Sequence, residues 1–371
     1  MEMKLINTPR TLDIEITNRC NLRCNYCSHF TSSGDVDHDL PKEEWLKFFE
    51  ELNKYAILDV TISGGEAFYR KDLKDIIDGI VHNRMRFSIL SNGTLIDDDM
   101  AEFLSLTGRC NSVQVSIDGS VPTTHDSFRG KGNFVKAVNG VKALQKHGIN
   151  VAIRVTIHKK NVDELDDIAK FLLEDMGLPN FSTNSASYMG LCRQNAEQVQ
   201  LTADERSRAM VTLLRLSKKY DGRISANAGP LAEGRAWLEM EKARLENKEA
   251  IANRGYLTGC GGFWSKLAVR ADGVIIPCGQ MPHIELGRIN QDDLKDIWQN
   301  SPELKRLRER RDIPLSEFEF CNGCEYINYC TGSCPALAYT LIGIDNHPSP
   351  DSCLRRFLSE GGKIPDENLL Y

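Results

Sequence analysis

The sequence predicts an α/β fold, a partial (β/α)6 barrel of the TIM type followed by a smaller cysteine-rich domain. Three observations predict it. Six short β-branched runs alternate with amphipathic helical stretches between residues 11 and 219. The 12 cysteines are clustered, three within residues 20–27 and seven within 260–353. Composition changes near residue 255, where Gly, Cys and short hairpin-like pieces replace the strand–helix alternation. A length of 371 residues, at roughly 150 per domain, allows two to three domains. A chain of that size buries on the order of 75% of its unfolded surface and needs no disulfides for a core.

In order, the predicted strands are 12–17, 57–63, 86–91, 112–117, 151–157 and 180–186. The helical stretches are 42–54, 72–83, 97–106, 133–147, 162–175 and 203–219, with Pro41 at a helix start and Gly148 and Gly177 just past helix ends. Apolar strands joined by helices of this length predict parallel βαβ units with right-handed crossovers. Six units make an incomplete barrel, whose chemistry belongs at the C-terminal ends of the strands. A charged helical stretch, 231–248, reads as a linker. The expected boundaries are a core over 1–225, a linker over 226–254 and a cysteine-organised domain over 255–371. Within the last, Ala271-Asp272-Gly273 between two short apolar runs predicts a hairpin.

Composition excludes several classes. With 46 Lys+Arg against 52 Asp+Glu, the net charge is −6, a poor footprint for nucleic acid. No uncharged apolar run approaches about 18 residues, so no membrane span is expected. Residues 1–10 lack the apolar region of a signal peptide. Cysteine is 12 of 371 residues, well below the roughly 8–10% of a disulfide scaffold. Clustered cysteines then point to metal binding in a reducing cytoplasm.

The first cluster reads Cys20-Asn-Leu-Arg-Cys24-Asn-Tyr-Cys27, directly after the first strand. Structural zinc wants four ligands, whereas three thiolates on a four-iron cube leave one iron open. The alternative is a zinc loop borrowing His29 or His38. The triad in this place resembles the signature of the radical SAM enzymes. Ser63-Gly64-Gly65-Glu66 at the second strand end is similar to that family's "GGE" motif. The family uses it to hold the amino group of S-adenosylmethionine. Glycines permit close backbone approach, and a carboxylate accepts from an ammonium. Ser91-Asn92-Gly93-Thr94 and Ser116-Ile-Asp118-Gly119 resemble the family's next strand ends. The resemblance implies cofactor contacts from Tyr26, Gly64, Gly65, Glu66, Asn92, Ser116 and Arg154, the last toward the cofactor carboxylate. It also implies one-electron cleavage of S-adenosylmethionine to methionine and a 5′-deoxyadenosyl radical, fed by a flavodoxin- or ferredoxin-type reductant. Arg129-Gly130-Lys131-Gly132 lacks the G-x4-G-K-[ST] pattern and reads as a flexible strand-to-helix loop rather than a phosphate cradle.

The second set of cysteines resembles the SPASM domain, which binds two auxiliary four-iron clusters. A zinc ribbon is the alternative. Matched by position, the resemblance assigns Cys321, Cys324, Cys330 and Cys353 to an outer cluster and Cys260, Cys278 and Cys334 to an inner one. With the triad, that makes three [4Fe-4S] clusters. No further Cys flanks Cys260, so the inner cluster is expected to keep an open iron or to take a distant ligand such as Cys192. Otherwise Cys110 and Cys192 read as small buried hydrophobes.

SPASM enzymes most often modify peptides, and the leading expectation is oxidative modification of a ribosomally made peptide, such as crosslinking. Cys278 is followed by Gly279, where the resembled sulfatase maturases carry a basic Asp, which weakens that sub-reading. About ten residues precede the first strand, too few for a fused peptide-recognition domain, so either a separate protein presents the peptide or the substrate is not a leader peptide. The basic run 305–311 is a candidate grip for an acidic leader, against the reading of a solvated helix face. Base candidates are His29, His283 and Glu285. Competing readings are radical chemistry on a small molecule or tetrapyrrole, and a non-catalytic iron–sulfur electron carrier. The Gly64-Gly65-Glu66 pocket argues against the carrier.

Overall fold

The computed structural model describes residues 5–29, 38–258 and 260–369; residues 1–4 of the signal-peptide reading lie outside them. Ten strands form one sheet: β1 Thr11–Glu15, β2 Asp59–Ser63, β3 Arg86–Ser91, β4 Cys110–Ser116, β5 Val151–Ile157, β6 Phe181–Ser185, β7 Ile224–Ala226, β8 Lys266–Val269, β9 Val274–Ile276 and β10 Gly287–Arg288. Their order is β10-β9-β8-β1-β2-β3-β4-β5-β6-β7. Strands β1 to β7 are parallel throughout. The sheet has two free edges and is therefore an open barrel wall. All six predicted strands are present. The short β7 has too few residues to give a period.

The helices are α1 Lys42–Lys54, α2 Leu73–His82, α3 Asp98–Leu106, α4 Pro122–Arg129, α5 Asn133–Lys146, α6 Leu165–Lys170, α7 Gly190–Gln194, α8 Ala196–Val199, α9 Ala203–Lys219, α10 Pro230–Leu245, α11 Leu294–Asn300, α12 Pro302–Glu309, α13 Pro335–Ile342 and α14 Leu354–Ser359. In α1, Trp45, Phe48, Phe49 and Leu52 fall on one stripe and are buried. A Thr202–Glu205 capping box starts α9. The stretch 162–175 splits into α6 and a π-helical turn, Phe171–Asp175.

One expectation needs correction. The loop 129–132 joins α4 to α5 and is not strand-to-helix; Asp126 pins it by accepting from the Gly132 and Phe134 amides. The charged stretch 231–248 is helical over most of its length, as expected. Helix α10 packs on α9 and buries Leu231, Trp237, Leu238 and Met240.

The predicted hairpin is β8–β9, and it does more than ornament the second region. Strand β8 pairs in parallel with β1, Thr11 opposite Lys266 and Ile14 opposite Val269. The cysteine-rich segment thereby extends the barrel wall. Along the strands one face is fully apolar: Leu12, Ile14, Val60, Ile62, Phe87, Ile89, Val113, Val115, Ile153 and Val155 are buried under helices. The other face carries Asp13, Glu15, Thr61, Ser63, Ser88, Gln114, Ser116, Arg154 and Ser182, all half-buried. Runs buried on both faces are the norm for parallel sheets. Here helices cover only one side, and the concave side is polar and open.

Candidate functional site

The chain leaves β1 into the loop that carries Cys20, Cys24 and Cys27. Thr17 Oγ1 and the Asn18 amide turn it by donating to Asp39 at 2.5 and 2.7 Å. The Gly-Gly-Glu segment then fastens it: the Gly65 amide donates to Thr17 O and the Glu66 amide to Arg19 O, both at 2.8 Å. A Cβ on Gly64, whose φ is +137°, would lie 2.2 Å from Thr17 O, and one on Gly65 2.3 Å from Arg19 O. The close approach these glycines allow is to the cysteine loop itself.

Glu66 is 1% exposed. Its carboxylate accepts from Ser91 Oγ at 2.9 Å and from the Asn92 and Phe68 amides at 2.7 and 3.2 Å. Burial raises its pKa, and those three donors and Arg129 pull it back. Asn92 is equally engaged: its amide nitrogen donates to Asn21 Oδ1 at 3.0 Å, and its oxygen accepts from Thr94. Glu66 and Asn92 thus lock the third strand end to the loop, bringing Gly64, Gly65, Glu66 and Asn92 to the triad.

Tyr26 lies beneath the loop, against Phe128 and His158. Its hydroxyl donates to Asp118, which is 1% exposed. Arg129 Nε donates to the same carboxylate at 2.5 Å, and the Thr156 amide to its other oxygen at 2.8 Å. Burial pushes the Asp118 carboxyl up, but Arg129, His158 and His125 hold it near 2. Burial holds His125 and His158 neutral, near 4. Burial pushes the Cys24 thiol up to about 12, with Arg129 opposing. This buried Asp118–Arg129 pair was missed from sequence. Asp118 looked like one member of a turn tetrapeptide, and no spacing links it to Arg129.

Ser116 and Arg154 are opposite each other in register on β4 and β5, on the concave face. Among the described residues Arg154 donates only to Gln114 Oε1, at 3.2 and 3.3 Å, and burial lowers its pKa. Glu15, also missed, stands on the same face at the end of β1, its Oε1 3.4 Å from where a Gly279 Cβ would be. Burial raises it to about 7, with Arg270 opposing and Asp272 and Asp13 adding. Of the expected bases, His283 stacks on Tyr339 at 3.5 Å and Glu285 pairs with Arg270.

The remaining thiols fall into two electrostatically linked groups. Cys321 feels Cys330, Cys324 and Cys353, and those four line one pocket with Tyr326 and Arg355. Cys278 feels Cys334 and Cys260. Cys192 is in neither group; it packs with Tyr26, Phe128 and Val199. Backbone amides two residues on donate to the sulfurs of Cys20, Cys260, Cys278 and Cys330 at 3.3–3.5 Å. Such donors stabilise thiolate charge in metal–sulfur centres. Among the described residues no three His, Cys, Asp or Glu side chains converge on a single ion. Groups of three, three and four thiols fit polynuclear iron–sulfur centres by donor chemistry.

Residues 14–172 match the radical SAM superfamily, and residues 260–325 match SPASM, an iron–sulfur cluster-binding domain. The chain is 26% identical over 344 residues to the AdoMet-dependent heme synthase of Methanosarcina barkeri, covering 91% of this chain and 95% of that one. It is 27% identical over 326 residues to the antilisterial bacteriocin subtilosin biosynthesis protein AlbA of Bacillus subtilis, covering 87% and 67%. Among solved structures, Streptococcus suis SuiB bound to precursor peptide SuiA matches with a TM-score of 0.69 at 17% identity, over 94% of this chain and 77% of that one. That likeness is one of fold.

Proposed function

The chain belongs to the radical SAM superfamily and carries a SPASM domain, and from that premise we propose that it oxidatively modifies a ribosomally made peptide, for instance by crosslinking. It is an enzyme dependent on S-adenosylmethionine and [4Fe-4S] clusters. In our reading Cys20, Cys24 and Cys27 hold the cofactor-binding cluster, Cys260, Cys278 and Cys334 an inner auxiliary cluster, and Cys321, Cys324, Cys330 and Cys353 an outer one. Bound at the triad, S-adenosylmethionine supplies a 5′-deoxyadenosyl radical on one-electron reduction. Glu66, with Gly64 and Gly65, fixes the loop against β2 and β3. Ser116 and Arg154 offer a hydroxyl and a guanidinium to the methionine end, and Tyr26 braces the loop from below through Asp118.

One observation carries the peptide reading: from β2 to β6 the concave face carries mainly Ser, Thr and Gln, with the carboxylates Asp13 and Glu15 confined to β1 and Arg154 paired with no carboxylate among the described residues. Hydroxyls and amides of this kind suit the alternating donors and acceptors of a peptide backbone. A flat macrocycle bearing several carboxylates wants apolar walls and several cations. The tetrapyrrole reading keeps one observation in its favour, the match along 95% of the heme synthase. The core boundary at 225 and the SPASM boundary at 255 are part of the same proposal, as are a flavodoxin- or ferredoxin-type reductant, a separate recognition protein and a reducing cytoplasm. No described helix is long and apolar enough to cross a membrane.

The test is anaerobic reaction of the reconstituted chain with short peptides encoded beside its gene, read by mass spectrometry and by 5′-deoxyadenosine release. Loss of two hydrogens from a peptide is expected. Conversion of an iron porphyrin carboxylate with all peptides untouched overturns the proposal in favour of the second reading. Absence of deoxyadenosine under strong reductant would leave an electron carrier.

A further inference from the structure

The basic run 305–311 turns out not to be a solvated face at Arg308 and Arg310, which are 5% and 0% exposed. Neither can grip a leader peptide from there. Arg308 holds the fold together locally, donating to Phe263 O and Trp298 O and lying 4.5 Å over the Trp298 ring; its other terminal nitrogen is buried with no partner among the described residues, but no thiol is among its neighbouring charges. Arg310 differs in where it sits. Its Nε reaches Thr258 O, two residues before Cys260, at a long 3.4 Å. One terminal nitrogen donates to Asp345 O and Asn346 Oδ1, and the other is buried with no partner.

It has no carboxylate of its own: the nearby Asp345 is held by Arg306, which donates to both oxygens at 2.8 Å. The charges acting on Arg310 are Asp345, then Cys334 and Cys260, with Arg306 opposing, and Arg310 in turn favours the Cys334 thiolate. The other cation beside these thiols, Lys266, is paired with Asp13 at 2.5 Å. At the outer group, Arg355 attends Cys321 and Cys324 but is only half-buried and tied to Asn322 O and Phe320 O.

We propose that Arg310 is a positioning residue for electron transfer: a buried, unpaired guanidinium that raises the reduction potential of the cluster held by Cys260, Cys278 and Cys334. A fixed positive charge in a low-dielectric setting favours the redox state with one more negative charge. The inner centre is thereby the easier auxiliary centre to reduce. This rests on the assignment of those three cysteines as ligands.

The test is a potentiometric titration of the reconstituted full chain, followed by EPR, comparing wild type with R310Q and N346D. Asn346 Oδ1 lies 3.3 Å from the guanidinium, so N346D neutralises Arg310 while leaving it in place. Both variants should lower one midpoint, with the reduced-to-oxidised ratio at the wild-type midpoint falling about tenfold, or roughly 59 mV for one electron. The other two midpoints should stay put, and R310K should retain most of the wild-type value. C278S identifies the signal: it should abolish the one that moves. An unmoved midpoint in N346D with full iron content overturns the role of Arg310. If instead C278S keeps every wild-type signal, the ligand assignment fails, and the inference with it.

Discussion

Asp118→Asn should be among the most damaging single-atom changes in the molecule. The carboxylate is 1% exposed and holds Arg129, the Tyr26 hydroxyl and the Thr156 amide at once. Its pKa lies near 2 against an ordinary 3.8. The charged form therefore contributes on the order of 2 kcal/mol of stability. Because the folded pKa is depressed, that contribution is complete above about pH 4 and is lost as pH falls toward 2. The Asn substitution costs more, because it strands the buried Arg129 charge; breaking such a pair from one side costs roughly 3–5 kcal/mol. Urea unfolding under anaerobic conditions at pH 7 should show that loss for D118N. D118N/R129Q should recover a good part of it, a favourable coupling of at least about 2 kcal/mol in the double-mutant cycle. A D118N loss below about 1 kcal/mol, or strict additivity, would refute the claim that this pair braces the cysteine loop.

Gly65→Ala drives a methyl onto Arg19 O; the variant should fold its sheet but fail to retain the triad cluster, seen as loss of about four irons per chain of the roughly twelve expected. Cys330→Ser and Cys278→Ser should each lower iron by about four, and the double variant by about eight; equal losses from single and double variants would merge the two auxiliary sites. Glu15, with its carboxyl at about 7, binds a proton more tightly when folded than unfolded, so wild-type stability should fall as pH rises from about 4.5 to 7. E15Q should then be more stable than wild type at pH 8, by up to about 3 kcal/mol, and indistinguishable at pH 4; a pH-independent difference in Tm would discount the burial. Arg308→Glu should destabilise by several kcal/mol, as a reversed charge under Trp298 with no exit to water, whereas Lys305→Glu, on the exposed side of α12, should leave Tm within about 1 °C.

What the sequence made legible follows from how local each signal is. The strand–helix alternation and Pro41, Gly148 and Gly177 are encoded within a few residues, so the barrel wall and most of its helices could be read directly. The runs C-x3-C-x2-C and C-x2-C-x5-C-x3-C are equally local, but the division of the second set came from the resemblance, since Cys334 ends the second run and yet lies with Cys260 and Cys278. What could not be read was register. Nothing local says that Lys266 stands opposite Thr11, so the sharing of one sheet by barrel and cysteine-rich segment was invisible, and with it the Asp13–Lys266 pair. The polar concave face was latent in alternations such as Thr61/Ser63 and Gln114/Ser116, but short β-branched runs hide a period of two. The same limit explains Glu66, Asp118 and Arg310. Each was visible as a residue, in a motif, a turn or a basic run. What each does depends on its buried partners, and partners separated by 11 to 52 positions leave no trace in spacing. Arg310 shows the consequence most sharply: a charge that looked solvent-facing from its neighbours is enclosed, and enclosure is what gives a single cation leverage over the thiolates beside it.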